Sequence, residues 1–248
     1  MKIENAVALV TGANRGIGLA FAQELLARGA SKVYAGVRNP ATVTQSGVQA
    51  LQLDITKPDD VAAAAALASD VTLVINNAGI AEPGGFLAPD SEEVARRLFE
   101  TNFFAMLRMS KAFAPILKAH GGGALLNVLS VSSWVSRGEL AVYSASKSAA
   151  WSLTNALRNE LAAQKTQVLG LHMAYVDTDL TREIEAPKSS PGEIVRRALD
   201  GLESDLDEVL ADDLTVQVRQ GMTAARPSLY LDTCSGDTRP GTGGVGML

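Results

Sequence analysis

Short apolar runs alternate with longer helical patterns along the chain as far as about Tyr175. The apolar runs predict β-strands at Ala6–Val10, Lys32–Gly36, Ala50–Leu53, Leu73–Asn76, Leu125–Leu129 and Val168–Met173. The stretches between them predict helices at Ile17–Arg28, Asp59–Ala68, Glu92–Ala119 and Val142–Gln164. Because strand and helix alternate and the strands are nearly all apolar, the pattern predicts a parallel sheet with helices on both faces. We therefore expect a doubly wound, Rossmann-type α/β fold in a single domain.

The pattern changes after Tyr175. Residues 179–192 contain a loop with two prolines, and we expect this segment to form a lid over a substrate. Further elements are predicted as helices at Glu193–Glu203 and Asp212–Thr223 and as a short strand at Ser228–Leu231. An acidic cluster lies among them and is interpreted as a solvated face or as helix-start charge: Asp205, Asp207, Glu208, Asp212 and Asp213. The domain is expected to span residues 1–231, followed by a glycine-rich tail over 232–248.

Composition narrows the possible functions. The 248 residues are 47% hydrophobic, which is enough to form a full core, and carry a net charge of −5. An acidic chain is a poor match for nucleic acid, which needs a basic surface. Cys234 is the only cysteine and there are two histidines, His120 and His172, so we expect no disulfide, no metal centre and packing or surface roles for both histidines. No apolar run is long enough for a signal peptide or a membrane span, so we expect a cytoplasmic protein.

A glycine-rich turn follows the first predicted strand, in the sequence Thr11-Gly12-Ala13-Asn14-Arg15-Gly16-Ile17-Gly18. Gly12 permits a tight turn, Gly16 lets the backbone approach a pyrophosphate, and Gly18 lets the next helix pack on the strand. The N-terminus of that helix then offers free N–H groups and a positive dipole end to phosphates. The alternative is a turn with a purely structural role.

A tyrosine and a lysine share one face of the helix predicted after the fifth strand. Tyr143 and Lys147 are four residues apart, so their side chains are neighbours on the helix surface. A nearby ammonium group favours a phenolate, so we expect Lys147 to lower the pKa of Tyr143 and make it a usable acid and base.

Taken in order, these motifs resemble the short-chain dehydrogenase/reductase family over roughly residues 5–182. The motifs that carry the resemblance are the Thr11–Gly18 turn, Asp54 after the third strand, the segment Asn76-Asn77-Ala78-Gly79 and the Tyr143/Lys147 pair. The resemblance implies that Ser130, at the end of the fifth strand, is the catalytic serine. It also implies that Asn102 supports a water-linked proton path to Lys147, although a buried structural role is the alternative for this asparagine. The catalytic set is therefore Asn102, Ser130, Tyr143 and Lys147.

The resemblance also implies where a nicotinamide cofactor binds. The expected contacts are Gly12, Asn14, Arg15, Gly16, Ile17, Gly18, Arg38, Asp54, Ile55, Asn77, Ala78, Gly79, Tyr143, Lys147, Val176 and Thr178. Proteins that bind NAD usually have a carboxylate at the end of the second strand, which accepts a hydrogen bond from the ribose 2′-OH. This chain has Val37 and Arg38 there and no carboxylate. Arg15 and Arg38 suit a 2′-phosphate, so we predict NADP(H), with two exposed surface arginines as the alternative.

The sequence departs from the family after the sixth predicted strand and at the C-terminus. The family's Pro-Gly pair is missing from the first of these segments, which carries Ala174 and Tyr175. Tyr175, Ser132 and Trp134 are the predicted substrate pocket, with Arg137 nearby; for Tyr175 and Trp134 ordinary packing is the alternative. Because the family's C-terminal tetramer segment is also missing, we expect a homodimer through helices 92–119 and 142–164, with a homotetramer as the alternative.

The motifs together predict an NADPH-dependent reductase of a small or medium-sized ketone or aldehyde, or an alcohol dehydrogenase in reverse. The alternative is a regulatory protein that binds NADPH without turnover, because a fold does not fix a function. An epimerase or dehydratase on a related fold is the third possibility.

Overall fold

Seven parallel strands form the centre of the computed structural model, which describes residues 1–136 and 138–223. The strands are β1 Val7–Thr11, β2 Lys32–Val37, β3 Val48–Gln52, β4 Leu73–Asn76, β5 Gly123–Val128, β6 Thr166–His172 and β7 Glu208–Leu210. The helices are α1 Gly16–Ala27, α2 Pro58–Leu67, α3 Ser91–Phe99, α4 Ala105–Ala119, α5 Ala141–Leu161, α6 Pro191–Glu203 and α7 Asp213–Gly221. The alternating strands and helices confirm the predicted doubly wound α/β fold. Arg137, the predicted strand 228–231 and the tail 232–248 lie outside the described residues.

Two apolar layers cover the sheet, because successive residues of a strand point to opposite faces. In β1, Ala8 and Val10 belong to the layer under α1 and α6, whereas Leu9 belongs to the layer under α2, α4 and α5. All four residues of β4 are buried, as expected for a strand covered on both faces.

The order of the strands locates the ligand crevice. The strands lie in the order β3-β2-β1-β4-β5-β6-β7. The chain adds β2 and β3 on one side of β1 and the later strands on the other side, so the order reverses between the neighbours β1 and β4. In open parallel sheets a ligand binds outside the carboxyl ends of the strands at such a reversal. The glycine-rich turn and the Asn76–Gly79 segment follow these two strands.

Two features of the fold differ from the sequence prediction. The single helix predicted over Glu92–Ala119 is interrupted by a π-helical turn at Glu100–Phe104, which separates α3 from α4. The strand β7 lies within the acidic cluster, where no strand was predicted, and pairs in parallel with β6. The interpretation of the cluster as a solvated face is therefore wrong for Glu208, which is half-buried, and for Asp212, which is buried; Asp212 does cap α7.

The predicted lid is a loop that is closed at its base. Val176 and Ser189 form a bridge in which the Asp177 N–H donates to the Ser189 carbonyl at 2.9 Å and the Ser189 N–H donates to the Tyr175 carbonyl at 2.9 Å. The loop ends where Ser190 caps the N-terminus of α6. Among the helices of the part of the chain that the structure describes, none is long and apolar enough to cross a membrane.

Candidate active site

The glycine-rich turn has the geometry that a phosphate site requires. Gly12 has φ +69°, which disfavours residues with a side chain. A Cβ atom on Gly18 would lie 2.2 Å from the Gly12 carbonyl oxygen, so only glycine lets α1 pack this close to the turn. Arg15 occupies the N-cap position of α1, and its side chain reaches away to Asp179 at 3.2 Å. The first N–H groups of α1 therefore remain available for an anion.

Thr11 and the Asn77–Ala78 segment join the glycine-rich turn to the end of β4. The Thr11 hydroxyl accepts hydrogen bonds from the N–H groups of Asn77 and Ala78, both at 3.0 Å, and the Asn77 side chain donates to the Thr11 carbonyl at 2.8 Å. Because each partner fixes the other, the two segments present one rigid surface at the reversal point of the sheet.

Asp54 follows β3, and its charged neighbours include Arg38, which follows β2. The Asp54 carboxylate accepts hydrogen bonds from the N–H and the hydroxyl of Thr56, at 3.0 and 2.7 Å. Burial opposes ionisation of Asp54, but these bonds and the nearby charges of Lys57 and Arg38 outweigh it and lower the pKa of the carboxyl. The Arg38 side chain is exposed beyond the end of β2, and the Asn14 side chain donates to the Thr42 hydroxyl at 3.2 Å.

A cavity of about 320 Å³ opens beside the glycine-rich turn. Its lining consists of Gly16, Asp177, Thr178, Asp179, Arg182 and Lys188. The Thr178 side chain would lie 3.3 Å from a Cβ atom on Gly16, so the segment after β6 lies directly against the turn. The predicted cofactor residues Gly16 and Thr178 are thus brought together, and the base of the lid contributes charged groups to the same space.

Ser130 and Lys147 both lie at the carboxyl end of β5. Ser130 is 7% exposed, and its hydroxyl accepts a hydrogen bond from the Ser132 N–H at 3.1 Å. The Lys147 ammonium is buried and donates to the Val128 carbonyl at 3.1 Å, two residues before Ser130. It lies 5.9 Å from the centre of the Tyr143 ring, one turn earlier on α5. The helix and the strand end together place a phenol, a hydroxyl and an ammonium group in one region.

Burial acts on the pKa values of these groups in opposite directions. It lowers the pKa of Lys147 to about 8, because a buried ammonium loses its hydration. It raises the pKa of the Tyr143 phenol, and the interaction with the Ser130 hydroxyl offsets only part of that rise. The net shift of the Tyr143 pKa in the ligand-free protein is therefore upward, opposite to the expected lowering, because desolvation of the phenol dominates. Tyr143 is held in its protonated form.

Asn102 lies in the π-helical turn between α3 and α4 and is 1% exposed. Its side chain accepts from the Ile80 N–H at 3.0 Å, donates to the Ile80 carbonyl at 2.9 Å and donates to the Ser146 hydroxyl at 3.0 Å. Ser146 in turn donates to the Tyr143 carbonyl at 2.7 Å. A Cβ atom on Gly79 would lie 3.1 Å from the Asn102 oxygen and 3.6 Å from the Lys147 nitrogen, so this glycine keeps the space between them open. Ser146, beside Lys147, was missed by the sequence analysis.

The predicted substrate residues do not share one environment. Ser132 is half-buried beside Ser130, and Tyr175 is half-buried at the base of the lid. Trp134 is only 7% exposed, and its ring stacks on His172 at a centroid distance of 4.0 Å. Its surroundings favour the alternative that Trp134 packs in the interior, whereas Ser132 and Tyr175 remain predicted pocket residues.

The sequence and the structure of this chain were compared with those of known proteins. A model of the family described as short chain dehydrogenase matches residues 6–189. This chain belongs to the short-chain dehydrogenase family. It is 34% identical to a 1-deoxy-11-beta-hydroxypentalenate dehydrogenase of Streptomyces exfoliatus over 207 residues, which cover 78% of this chain and 75% of the relative.

Solved structures of this family extend the likeness to most of the chain. A short chain dehydrogenase from Burkholderia cenocepacia in complex with NADP is 40% identical, with a TM-score of 0.89 over 93% of this chain and 98% of that one. A 3-ketoacyl-(acyl-carrier-protein) reductase from Brucella melitensis, complexed with NADH, is 28% identical, with a TM-score of 0.75 over 84% of this chain and 96% of that one. The family transfers hydride with a nicotinamide cofactor, and these two relatives hold different forms of it.

Proposed function

We propose that this short-chain dehydrogenase is an NADPH-dependent oxidoreductase that interconverts a ketone or aldehyde and an alcohol. The observation that carries the proposal is the arrangement at the end of β5, where the Lys147 ammonium lies 5.9 Å from the Tyr143 ring and donates to the Val128 carbonyl, two residues before Ser130. A protonated phenol beside a buried ammonium is suited to donate a proton to a carbonyl oxygen.

When bound, a reduced nicotinamide supplies the hydride that adds to the carbonyl carbon. Tyr143 gives its proton to the carbonyl oxygen, and the Lys147 ammonium stabilises the phenolate that remains. The Ser130 hydroxyl donates a hydrogen bond to the oxygen on which negative charge develops. Asn102 holds the Ile80 peptide and Ser146 in place, and the family resemblance gives it a water-linked proton path to Lys147.

The first experiment is a panel of ketones and aldehydes with NADPH, followed by the loss of absorbance at the nicotinamide band. We expect turnover of at least one carbonyl. Tight binding of NADPH without turnover on any member of the panel would contradict the proposal and favour a protein that senses the cofactor.

The preference for NADPH is proposed to come from Arg15 and Arg38. Both side chains are exposed at the edge of the phosphate site, and forked guanidinium donors match the oxygens of a 2′-phosphate. The Arg15→Gln/Arg38→Gln double variant should lose about 10-fold or more of the NADPH over NADH preference in kcat/KM. Lys111→Gln, an exposed cation on α4, is the matched control. Equal kcat/KM with both cofactors in the wild type would contradict this assignment.

The proposed homodimer has a candidate contact surface on α3 and the π-helical turn. A surface groove is lined by Glu92, Ala95, Arg96, Phe99, Glu100 and Phe104. Phe104 is 46% exposed, and its ring packs edge-on against Phe103 at 5.0 Å. Sedimentation should show a dimer that Phe104→Asp converts to a monomer, whereas Leu87→Asp, at a fully exposed leucine in the loop before α3, should leave the dimer intact. A monomeric wild type would contradict this interface.

A further inference from the structure

Five side chains, of which Trp134 and His172 are buried and the other three half-buried, form an aromatic and charged cluster near Ser130. This histidine cluster consists of Trp134, Trp151, His172, Glu208 and Arg219. His172, the last residue of β6, is 0% exposed. The proposed chemistry uses none of the five, although β6 is the neighbour of β5, which ends two residues before Ser130.

The imidazole of His172 contacts the backbone of Ser130 directly. Its Nδ1 lies 3.2 Å from the Ser130 carbonyl oxygen, which also accepts the Ser133 N–H at 3.0 Å. Because a carbonyl oxygen only accepts, Nδ1 must carry the proton of this contact. The backbone of His172 is fixed as well, since its carbonyl accepts the Ala211 N–H at 2.9 Å.

The remaining members of the cluster set the orientation of this imidazole. Trp134 stacks on the ring at 4.0 Å, and Trp151 packs edge-on at 6.5 Å. Nε2 of His172 lies 3.3 Å from Oε1 of Glu208, off the line of a hydrogen bond, and the same oxygen accepts the Trp151 indole N–H at 2.7 Å. Two aromatic neighbours and the Nδ1 contact with the Ser130 carbonyl therefore restrict the orientation of the ring.

Glu208 is the charged centre of the cluster. Its other oxygen lies 3.3 Å from the Arg219 guanidinium, which also lies 4.8 Å from the centre of the Trp134 ring. The contact with His172 is the main reason that the pKa of Glu208 is lowered to about 2, and Trp151 and Arg219 contribute to the same shift against the opposing effect of burial. The carboxylate is therefore ionised at every pH at which an enzyme of this kind would be assayed.

We propose that His172 is a positioning residue for Ser130, oriented by Glu208 and by the two tryptophans. This inference rests on the proposed function, because it assumes that the Ser130 hydroxyl meets the substrate oxygen. The hydroxyl and the carbonyl of Ser130 belong to one residue at the strand end, so rotation of its peptide would displace the hydroxyl. A displacement of about 1 Å in an active site costs up to about 100-fold in rate.

The experiment compares His172→Leu, His172→Gln and Glu208→Gln with the wild type. Leucine fills the site without polar contacts, whereas glutamine keeps an N–H that can reach the Ser130 carbonyl. Thr166→Val is the matched control, because Thr166 is a buried polar residue at the other end of β6. The quantities measured are kcat per NADPH-binding site, obtained by titration of the cofactor, the KM for the carbonyl substrate, and the Kd of NADPH.

His172→Leu should lower kcat per binding site about 10-fold or more while the Kd of NADPH changes less than about 2-fold. His172→Gln should recover part of the loss, and Thr166→Val should match the wild type. If His172→Leu does not fold, Glu208→Gln provides the test, with an expected fall in kcat of about 3-fold or more.

An unchanged kcat per binding site in His172→Leu would overturn the positioning role and leave the proposed function intact. The same holds for Glu208→Gln where that variant provides the test. A loss confined to thermal stability and to the number of NADPH-binding sites would also overturn it, because that is the result of a purely structural role. A wild type without turnover would instead overturn the proposed function.

Discussion

Desolvation shifts the pKa values of Tyr143 and Lys147, the two groups proposed to take part in proton transfer. Burial keeps Tyr143 in its phenol form and brings the pKa of Lys147 down to about 8. A phenol is the form needed to reduce a carbonyl, and an ammonium group is the form needed to stabilise the phenolate afterwards. Both groups therefore have, at neutral pH, the protonation state that the proposed carbonyl reduction requires.

This pairing predicts the pH dependence of carbonyl reduction. Lys147 is charged below a pH of about 8 and loses its proton above it, so kcat/KM for the carbonyl should be level near neutrality and fall as pH rises through about 8. Lys147→Arg, whose guanidinium stays charged, should lack this limb even if its overall rate is lower. The measurement is kcat/KM against pH with NADPH saturating. A wild-type profile that stays level to high pH would show that Lys147 does not titrate here.

At the scale of elements, the site depends on short irregular segments that regular helices and strands hold in place. The π-helical turn at Glu100–Phe104 carries Asn102 into the interior, where it pairs with both backbone groups of Ile80. π-helical turns are rare and often occur at functional sites. The Asn102 side chain thus connects the loop after β4 with α5, through Ser146.

Asn102→Leu should therefore impair stability as well as activity. It leaves the half-buried N–H and carbonyl of Ile80 without their side-chain partner, which should lower the free energy of unfolding by about 1–3 kcal/mol. Thr101→Val, in the same π-helical turn, is the control. Urea unfolding measures the stability, and kcat is measured at a temperature where both variants are folded. An Asn102→Leu protein as stable as Thr101→Val would contradict the role that the hydrogen bonds assign to this side chain.

At the scale of the whole molecule, sequence patterns predicted the sheet because its strands are apolar on both faces, and they placed Tyr143 and Lys147 together because helical spacing is regular. They did not predict β7, since Glu208–Leu210 is only three residues long within an acidic segment and becomes a strand by pairing with β6. The pKa of Tyr143 was predicted in the wrong direction, because exclusion of water depends on neighbours that are distant in sequence. The cluster around His172 was missed for the same reason.

The central claim is that Tyr143 protonates a carbonyl while hydride arrives from NADPH. It is tested most directly with NADPH deuterated at C4, prepared separately on each face of the nicotinamide, and with a carbonyl that the wild type reduces. Mass spectrometry of the alcohol should show one deuterium on the carbinol carbon from one of the two cofactors, and Tyr143→Phe should bind NADPH but form no labelled alcohol. Labelled alcohol formed by Tyr143→Phe at the wild-type rate, or wild-type alcohol without label from either cofactor, would contradict the account.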